Sequence, residues 1–237
     1  MKRILLIVLG ISLSFLSLYS QEKQSPLVFS LELSSKYMWR GIEYGTAPVV
    51  FPMLSCNYKG FSIYALGAYA VNGTHQEMDL GLSYTYEKFT LGLSDYYYPS
   101  AVGEEDSYFQ LSNRSTGHSV EAYLMLNPFK VPMWVTVSTY VFGADKKLNG
   151  GQAFSSYVEA GYTYAFNDKN ALSLAVGTNL NKGFYTSYEK EFCVVNIALK
   201  YVTSFTFGKF KLPISASYIL NPYKEKSYLT FSLYFNS

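Results

Sequence analysis

The chain has 237 residues, a formal net charge of +2, and only 15% charged residues against 18% aromatic, with 24 Tyr. Soluble domains usually carry about 25% charged residues, so a chain this poor in charge must bury much of its surface or place it in lipid, where Tyr suits the interfacial belts. No basic run is present, which excludes the footprint of a nucleic-acid binder; Cys56 and Cys193 are too few and too isolated for a disulfide framework or a zinc site.

Residues 1–20 read as a secretory signal peptide. Lys2 and Arg3 form a positive start, Ile4 to Leu18 an apolar stretch, and Ser20 a small residue before a cleavage point at Gln21. Leu18 at the third position before that point fits less well, and no Cys offers a lipid anchor. Beyond it no apolar run approaches ~18 residues, so no spanning helix is expected. About 215 residues remain, assigned to one domain over 21–237.

From Leu27 onward the hydrophobic period is two. Leu27, Phe29, Leu31 and Leu33 alternate with Ser30, Glu32 and Ser34. Segments 47–58 and 61–71 follow, with faces left unassigned. Met78, Leu80, Leu82, Tyr84 and Tyr86 then alternate with Glu77, Asp79, Gly81, Ser83 and Thr85. Softer alternation covers 89–97, 120–126 and 133–141. Val158, Ala160, Tyr162 and Tyr164 next oppose Tyr157, Glu159, Gly161 and Thr163. After 172–180, Cys193, Val195, Ile197, Leu199 and Tyr201 oppose Val194, Asn196, Ala198 and Lys200. Segment 210–220 precedes the last strand, where Leu229, Phe231, Leu233 and Phe235 oppose Tyr228, Thr230, Ser232 and Tyr234. The chain ends with Phe235 two residues short of a C-terminal aromatic.

About twelve strands result, the even number expected of a single-chain transmembrane, antiparallel, up-and-down β-barrel. About ten residues per strand, tilted ~45°, rise roughly 24 Å, close to the ~25 Å apolar band of such barrels. Pro52, Pro132 and Pro213 are expected near strand ends, where a missing donor does least harm. Tight turns at 58–60, 87–88, 127–132, 167–170 and 208–209 alternate with usually longer connections at 42–48, 72–76, 99–117, 143–153, 181–190 and 221–226. That asymmetry places both termini in the periplasm of a Gram-negative bacterium and the long loops outside its outer membrane. Loop 99–117, with Glu104-Glu105-Asp106, is the longest.

Charge placement separates this barrel from a soluble sandwich. Glu32, Lys36, Glu77, Asp79, Glu121, Glu159, Lys200 and Lys211 share parity with small polar residues, and Asp95 near a rim is the exception. A charge on a lipid face costs up to about 2–4 kcal/mol at mid-membrane. In a sandwich the second face would carry more Lys and Glu than the Ser, Thr, Gly, Asn and Tyr found here.

The stretch Ser35-Lys36-Tyr37-Met38-Trp39-Arg40-Gly41-Ile42, then Pro48, Asn57-Tyr58 and Gly60-Phe61, resembles the TorF family of putative porins. Glu77-Met78-Asp79-Leu80 and Asp95-Tyr96-Tyr97-Tyr98-Pro99 fit the same pattern, so the resemblance covers about residues 34–100. It implies an outer-membrane pore-like barrel with no catalytic residues to transfer.

The candidate pore-lining residues are Glu32, Lys36, Arg40, Glu77, Asp79, Glu121, Glu159 and Lys200. Arg40 is expected near the outer rim, paired with a carboxylate such as Glu77 or Asp79 and shaping a constriction, or else forming an ion pair that only satisfies buried charge. Tyr37, Trp39, Tyr97 and Trp134 are expected in the aromatic belt. An enzyme reading would use His118, Ser119 and Glu121, but in a strand His118 and Ser119 face opposite sides, so no catalytic residue, cofactor or metal is assigned. The expected partners are outer-membrane lipid and small polar solutes diffusing through a narrow lumen; a homo-oligomer is compatible with the same exterior. The alternatives are a sealed barrel whose loops contact partners and, third, an outer-membrane hydrolase.

Overall fold

The computed structural model describes residues 26–99, 107–127, 131–208 and 210–236. The signal-peptide assignment and the acidic Glu104-Glu105-Asp106 lie outside the described residues. Twelve strands close into one antiparallel barrel: β1 (Leu27–Ser34), β4 (Val49–Tyr58), β5 (Phe61–Ala70), β6 (Gln76–Tyr86), β7 (Phe89–Tyr97), β8 (His118–Leu126), β9 (Met133–Gly143), β10 (Ser156–Ala165), β11 (Ala171–Asn179), β12 (Val194–Phe207), β13 (Phe210–Asn221) and β14 (Lys226–Asn236). Each pairs with its sequence neighbour, and β1 pairs with β14 through Glu32 opposite Tyr234 to close the ring. Closure removes every sheet edge and so leaves no unpaired backbone row for lipid to face. Among the described residues no helix is long and apolar enough to cross a membrane. Two further strands, β2 (Met38–Trp39) and β3 (Ile42–Glu43), form a small separate hairpin between β1 and β4.

The alternation read from the sequence holds as two faces. Leu27, Phe29, Leu54, Ile63, Leu80, Leu82, Leu91, Leu93, Leu124, Leu174, Leu199, Leu229 and Phe231 stand exposed on the exterior. Ser30, Glu32, Ser34, Ser55, Asp79, Ser83, Ser94, Glu121, Ser138, Ser215 and Ser232 are buried on the interior. Exposed aromatics gather at the tight-turn end: Tyr58, Phe61, Tyr84, Tyr86, Phe89, Tyr164, Phe166, Phe205, Phe207 and Phe210. Amphipathic rings on the last residues of the strands have the composition that suits an interfacial aromatic belt.

Four interior rings lie over glycines of the neighbouring strand. A Cβ on Gly81, Gly92, Gly161 or Gly177 would fall inside the rings of Tyr64, Tyr123, Trp134 and Tyr157 respectively. Three of these pairs sit directly opposite in register. A ring laid flat on a glycine covers backbone that no side chain protects, and it fixes register as aromatic rescue does in designed sheets.

Several expectations change. Pro52 is the fourth residue of β4, inside the strand; the ladder to β5 skips Phe51 and Pro52, as a missing N–H requires. Val195, expected outward, is fully buried inside the barrel, because a register shift after Gly177 leaves it bulged between Val194 and Asn196. Trp134 faces the interior against Gly161 and does not join the belt. Tyr97 faces outward as expected but is only 4% exposed, covered by the rings of Tyr108 and His118.

Candidate functional site: an interior constriction

Alternation alone would carry β1 on through Arg40. Instead the strand ends at Ser34, whose hydroxyl donates to the Lys36 carbonyl at 2.9 Å, and the chain turns into the barrel at the long-loop end. Met38 pairs with Glu43 and Trp39 with Ile42, leaving Arg40-Gly41 as a two-residue turn with φ of 49° and 76°. Positive φ at both positions defines the primed turn that matches strand twist. Gly41 is required there twice over, since a Cβ would sit 2.0 Å from the Val195 carbonyl oxygen. Arg40 pays about 1–2 kcal/mol for its left-handed backbone, which only strong side-chain contacts can offset.

Those contacts are present. The Arg40 guanidinium grips Glu121 of β8 through both nitrogens, at 2.5 and 3.0 Å, and also donates to the Tyr185 hydroxyl. Its carbon lies 4.4 Å from the Trp39 ring centroid and 4.6 Å from that of Tyr157, a desolvated cation–π stack. Glu121 also accepts from the Tyr96 hydroxyl at 3.0 Å. The Gly41 carbonyl accepts from Asn221 Nδ2 at 3.0 Å, which ties the hairpin tip to the end of β13.

Tyr185 arrives from the opposite side. The connection between β11 and β12 folds one 3-10 turn, Phe184–Thr186, whose Tyr185 is fully buried and stacks on Trp39 and Tyr157. Buried polar groups hold that connection in shape. Asn179 Nδ2 donates to the carbonyls of Asn181 and Lys190, and its oxygen accepts from Cys193 N, each at 2.8 Å. Ser155 Oγ accepts from Phe184 N at 2.7 Å and donates to Asp145 at 2.6 Å. Tyr188 donates to the same carboxylate at 3.3 Å; burial and then the Asp145 charge push its phenol up to about 12, which keeps it a donor. Two inward segments thus meet across the bore, packed with Tyr37, Phe51, Tyr96, Tyr140 and Val195.

Of the sequence candidates, Arg40 and Glu121 come together, whereas Glu77 and Asp79 are not the partners of Arg40. Tyr37 and Trp39 are 6% and 3% exposed inside the barrel, so they line the constriction and not a lipid belt. Leaving the wall lets Tyr37 stack on Tyr44 and meet Phe51 and His75 edge-on, a packing that an exterior position lacks. Lys36 pairs with Glu43 at the hairpin base. Glu159 is held by the Tyr157 hydroxyl and by Asn196 Nδ2. Lys200 donates to the Tyr234 hydroxyl at 2.9 Å and sits near Glu32. Glu77 bonds His75 at 3.1 Å.

His118, Ser119 and Glu121 do not form a triad. His118 Nδ1 lies 2.7 Å from Asp95 Oδ2 and its Nε2 2.7 Å from the Tyr108 carbonyl, on the exterior wall. Asp95, the one charge of outward parity, thereby has a partner. Sequence reasoning missed Tyr185, Tyr157, Tyr96 and Tyr140. The adjacent Phe184-Tyr185 in an otherwise polar connection was the available signal.

A closed, twelve-stranded antiparallel barrel with an apolar coat and a polar, constricted bore has the architecture of bacterial outer-membrane porins. Among solved structures the chain is similar to the NanC porin, with a TM-score of 0.51 at 11% identity over 88% of this chain and 98% of that one. Also similar are the KdgM porin (0.49, 8% identity, 88% and 97% covered) and the outer-membrane channel DcaP of Acinetobacter baumannii (0.31, 13% identity, 90% and 72% covered). At these identities the likeness to NanC is one of fold, and the two lower scores add nothing to it. No protein-family model and no curated protein matches the sequence.

Proposed function

We propose that the chain is a narrow porin-like channel of a Gram-negative outer membrane, passing small polar solutes or ions passively, with its long loops outside and both termini in the periplasm. One observation carries this reading. Ser30, Ser55, Ser83, Ser94, Thr136, Ser138, Ser215 and Ser232 line the interior wall, while leucines and aromatics stand exposed on the exterior. A core sealed and dry along its whole length would be lined by apolar side chains, whereas a wall of hydroxyls suits a water-filled bore. The resemblance of residues 34–100 to TorF-type putative porins supports the same reading. Single-channel conductance of the purified, refolded protein is the test, and a bilayer silent across salts and voltages rejects it.

A sealed barrel that presents its loops to partners is the second reading, favoured by the hairpin that spans the bore. The two separate on one variant. Trimming residues 37–44 to a short linker opens a bore that is wet below and leaves a sealed, dry-packed barrel silent.

A further inference from the structure

Residues 107–117 lie against the exterior of β7 and β8. There the Tyr108 ring covers Tyr97, and the Tyr108 carbonyl accepts from His118 Nε2 at 2.7 Å. Further along, Asn113 Oδ1 accepts from Gly143 N at 3.1 Å and from Lys146 Nζ at 2.9 Å. The segment is thereby joined to the connection that follows β9.

Two kinds of side chain stand out from this junction. Phe109 and Leu111 are 83% and 60% exposed on a segment fixed to the outside of the barrel. Beside them Arg114, Lys146 and Lys147 bring three positive charges from two connections, and no carboxylate among the described residues pairs with any of them. The acids at hand are already engaged: Asp145 by Ser155 and Tyr188, Asp95 by His118. The apolar pair extends the exterior coat of Leu91, Leu93 and Leu124 toward the long-loop end. An apolar surface that continues into unpaired cations matches a membrane interface, where acyl chains give way to anionic headgroups. Arginine meets phosphate through its planar fork and lysine as a point charge.

We propose that Phe109, Leu111, Arg114, Lys146 and Lys147 form a docking site for a phosphorylated membrane lipid, in the leaflet at the long-loop end of the barrel. Phe109 and Leu111 lie among its acyl chains, and the three cations hold its phosphate. The site requires the barrel to be in a membrane; it depends neither on conduction nor on which way the barrel faces.

The test has two arms. In vesicles of phosphatidylcholine brominated on its acyl chains, the emission that F109W adds to the wild-type background is blue-shifted and quenched several-fold. Emission left unquenched overturns the acyl contact. In neutral detergent, native mass spectrometry finds phosphatidic acid retained several-fold more by wild type than by R114Q/K147Q, a variant that leaves the hydrogen bonds of Lys146 in place. Phosphatidylcholine is retained equally by both, and unchanged heat-modifiability on gels shows that the variant is folded. Equal retention of phosphatidic acid overturns the headgroup site. Complete displacement by inorganic phosphate shows that the cations take any phosphate and overturns the lipid assignment. E104Q/E105Q/D106N leaves retention unchanged; a several-fold gain shows that this acidic run already compensates the cations, and overturns the site. Disulfide cross-linking of L111C between two copies in the vesicles, in a C56S/C193S background, assigns the face to a second copy and overturns the proposal.

Discussion

Arg40 and Glu121, 81 residues apart, meet as a bidentate pair inside the barrel, with side chains 8% and 1% exposed. The pair joins a hairpin tip to the opposite wall, so removing either member leaves the other charge buried. Arg40→Ala is expected to cost about 3–5 kcal/mol in urea unfolding, and Arg40→Met with Glu121→Leu distinctly less than the sum of the single changes. The same Arg40→Ala protein, reconstituted, should conduct severalfold better than wild type.

Gly41→Ala tests the hairpin without touching a charge. Its Cβ meets the Val195 carbonyl and its φ of 76° disfavours any L side chain. The tip must withdraw from the wall, and conductance should rise as it does for Arg40→Ala. Quenching of Trp39 by acrylamide, read in a Trp134→Phe background, should increase with it, since the chain has 2 Trp.

Gly92→Ala drives a methyl group to within 2.3 Å of the Tyr123 ring atoms. Overpacking of this kind costs about 1–3 kcal/mol. The urea midpoint should fall with the slope unchanged, and Gly92→Ala with Tyr123→Ala should recover part of the loss.

The two faces predict opposite responses to one charge. Leu124→Lys, on the exterior of β8, should cost about 2–4 kcal/mol in folding into lipid vesicles if it lies near mid-membrane. Ser83→Lys, facing the bore, should cost much less. Equal losses would contradict the assignment of lipid and lumen.

His118 fastens the 107–117 segment to the barrel through Asp95 and the Tyr108 carbonyl. With about 1–2 kcal/mol of clamp removed, His118→Ala should raise limited proteolysis in that segment roughly tenfold, leaving the barrel intact.

The barrel was legible because alternation is a local property. Leu80 and Leu82 against Asp79 and Gly81 state which side is greasy whatever the rest of the chain does, and twelve such runs with alternating turn lengths leave few architectures. Gly81 and Gly161 read as small lumen residues, yet their role as seats for Tyr64 and Trp134 needed the strand register. The constriction was half legible. Arg40 and Gly41 stood out, but Tyr37 and Trp39 extrapolate outward if β1 is simply continued.

The sequence by itself determined the twelve strands, the two faces of all but those at 47–58 and 61–71, and the confinement of most strand charges to the interior, because lipid and a polar bore impose their preferences residue by residue. The tertiary structure alone decided that residues 37–44 leave the wall, that Glu121 and not Glu77 answers Arg40, and that Tyr185 closes on them from another connection. These are choices among long-range partners of similar chemistry, and they are settled by shape, by the left-handed turn at Arg40-Gly41 and by which buried charge lies within reach.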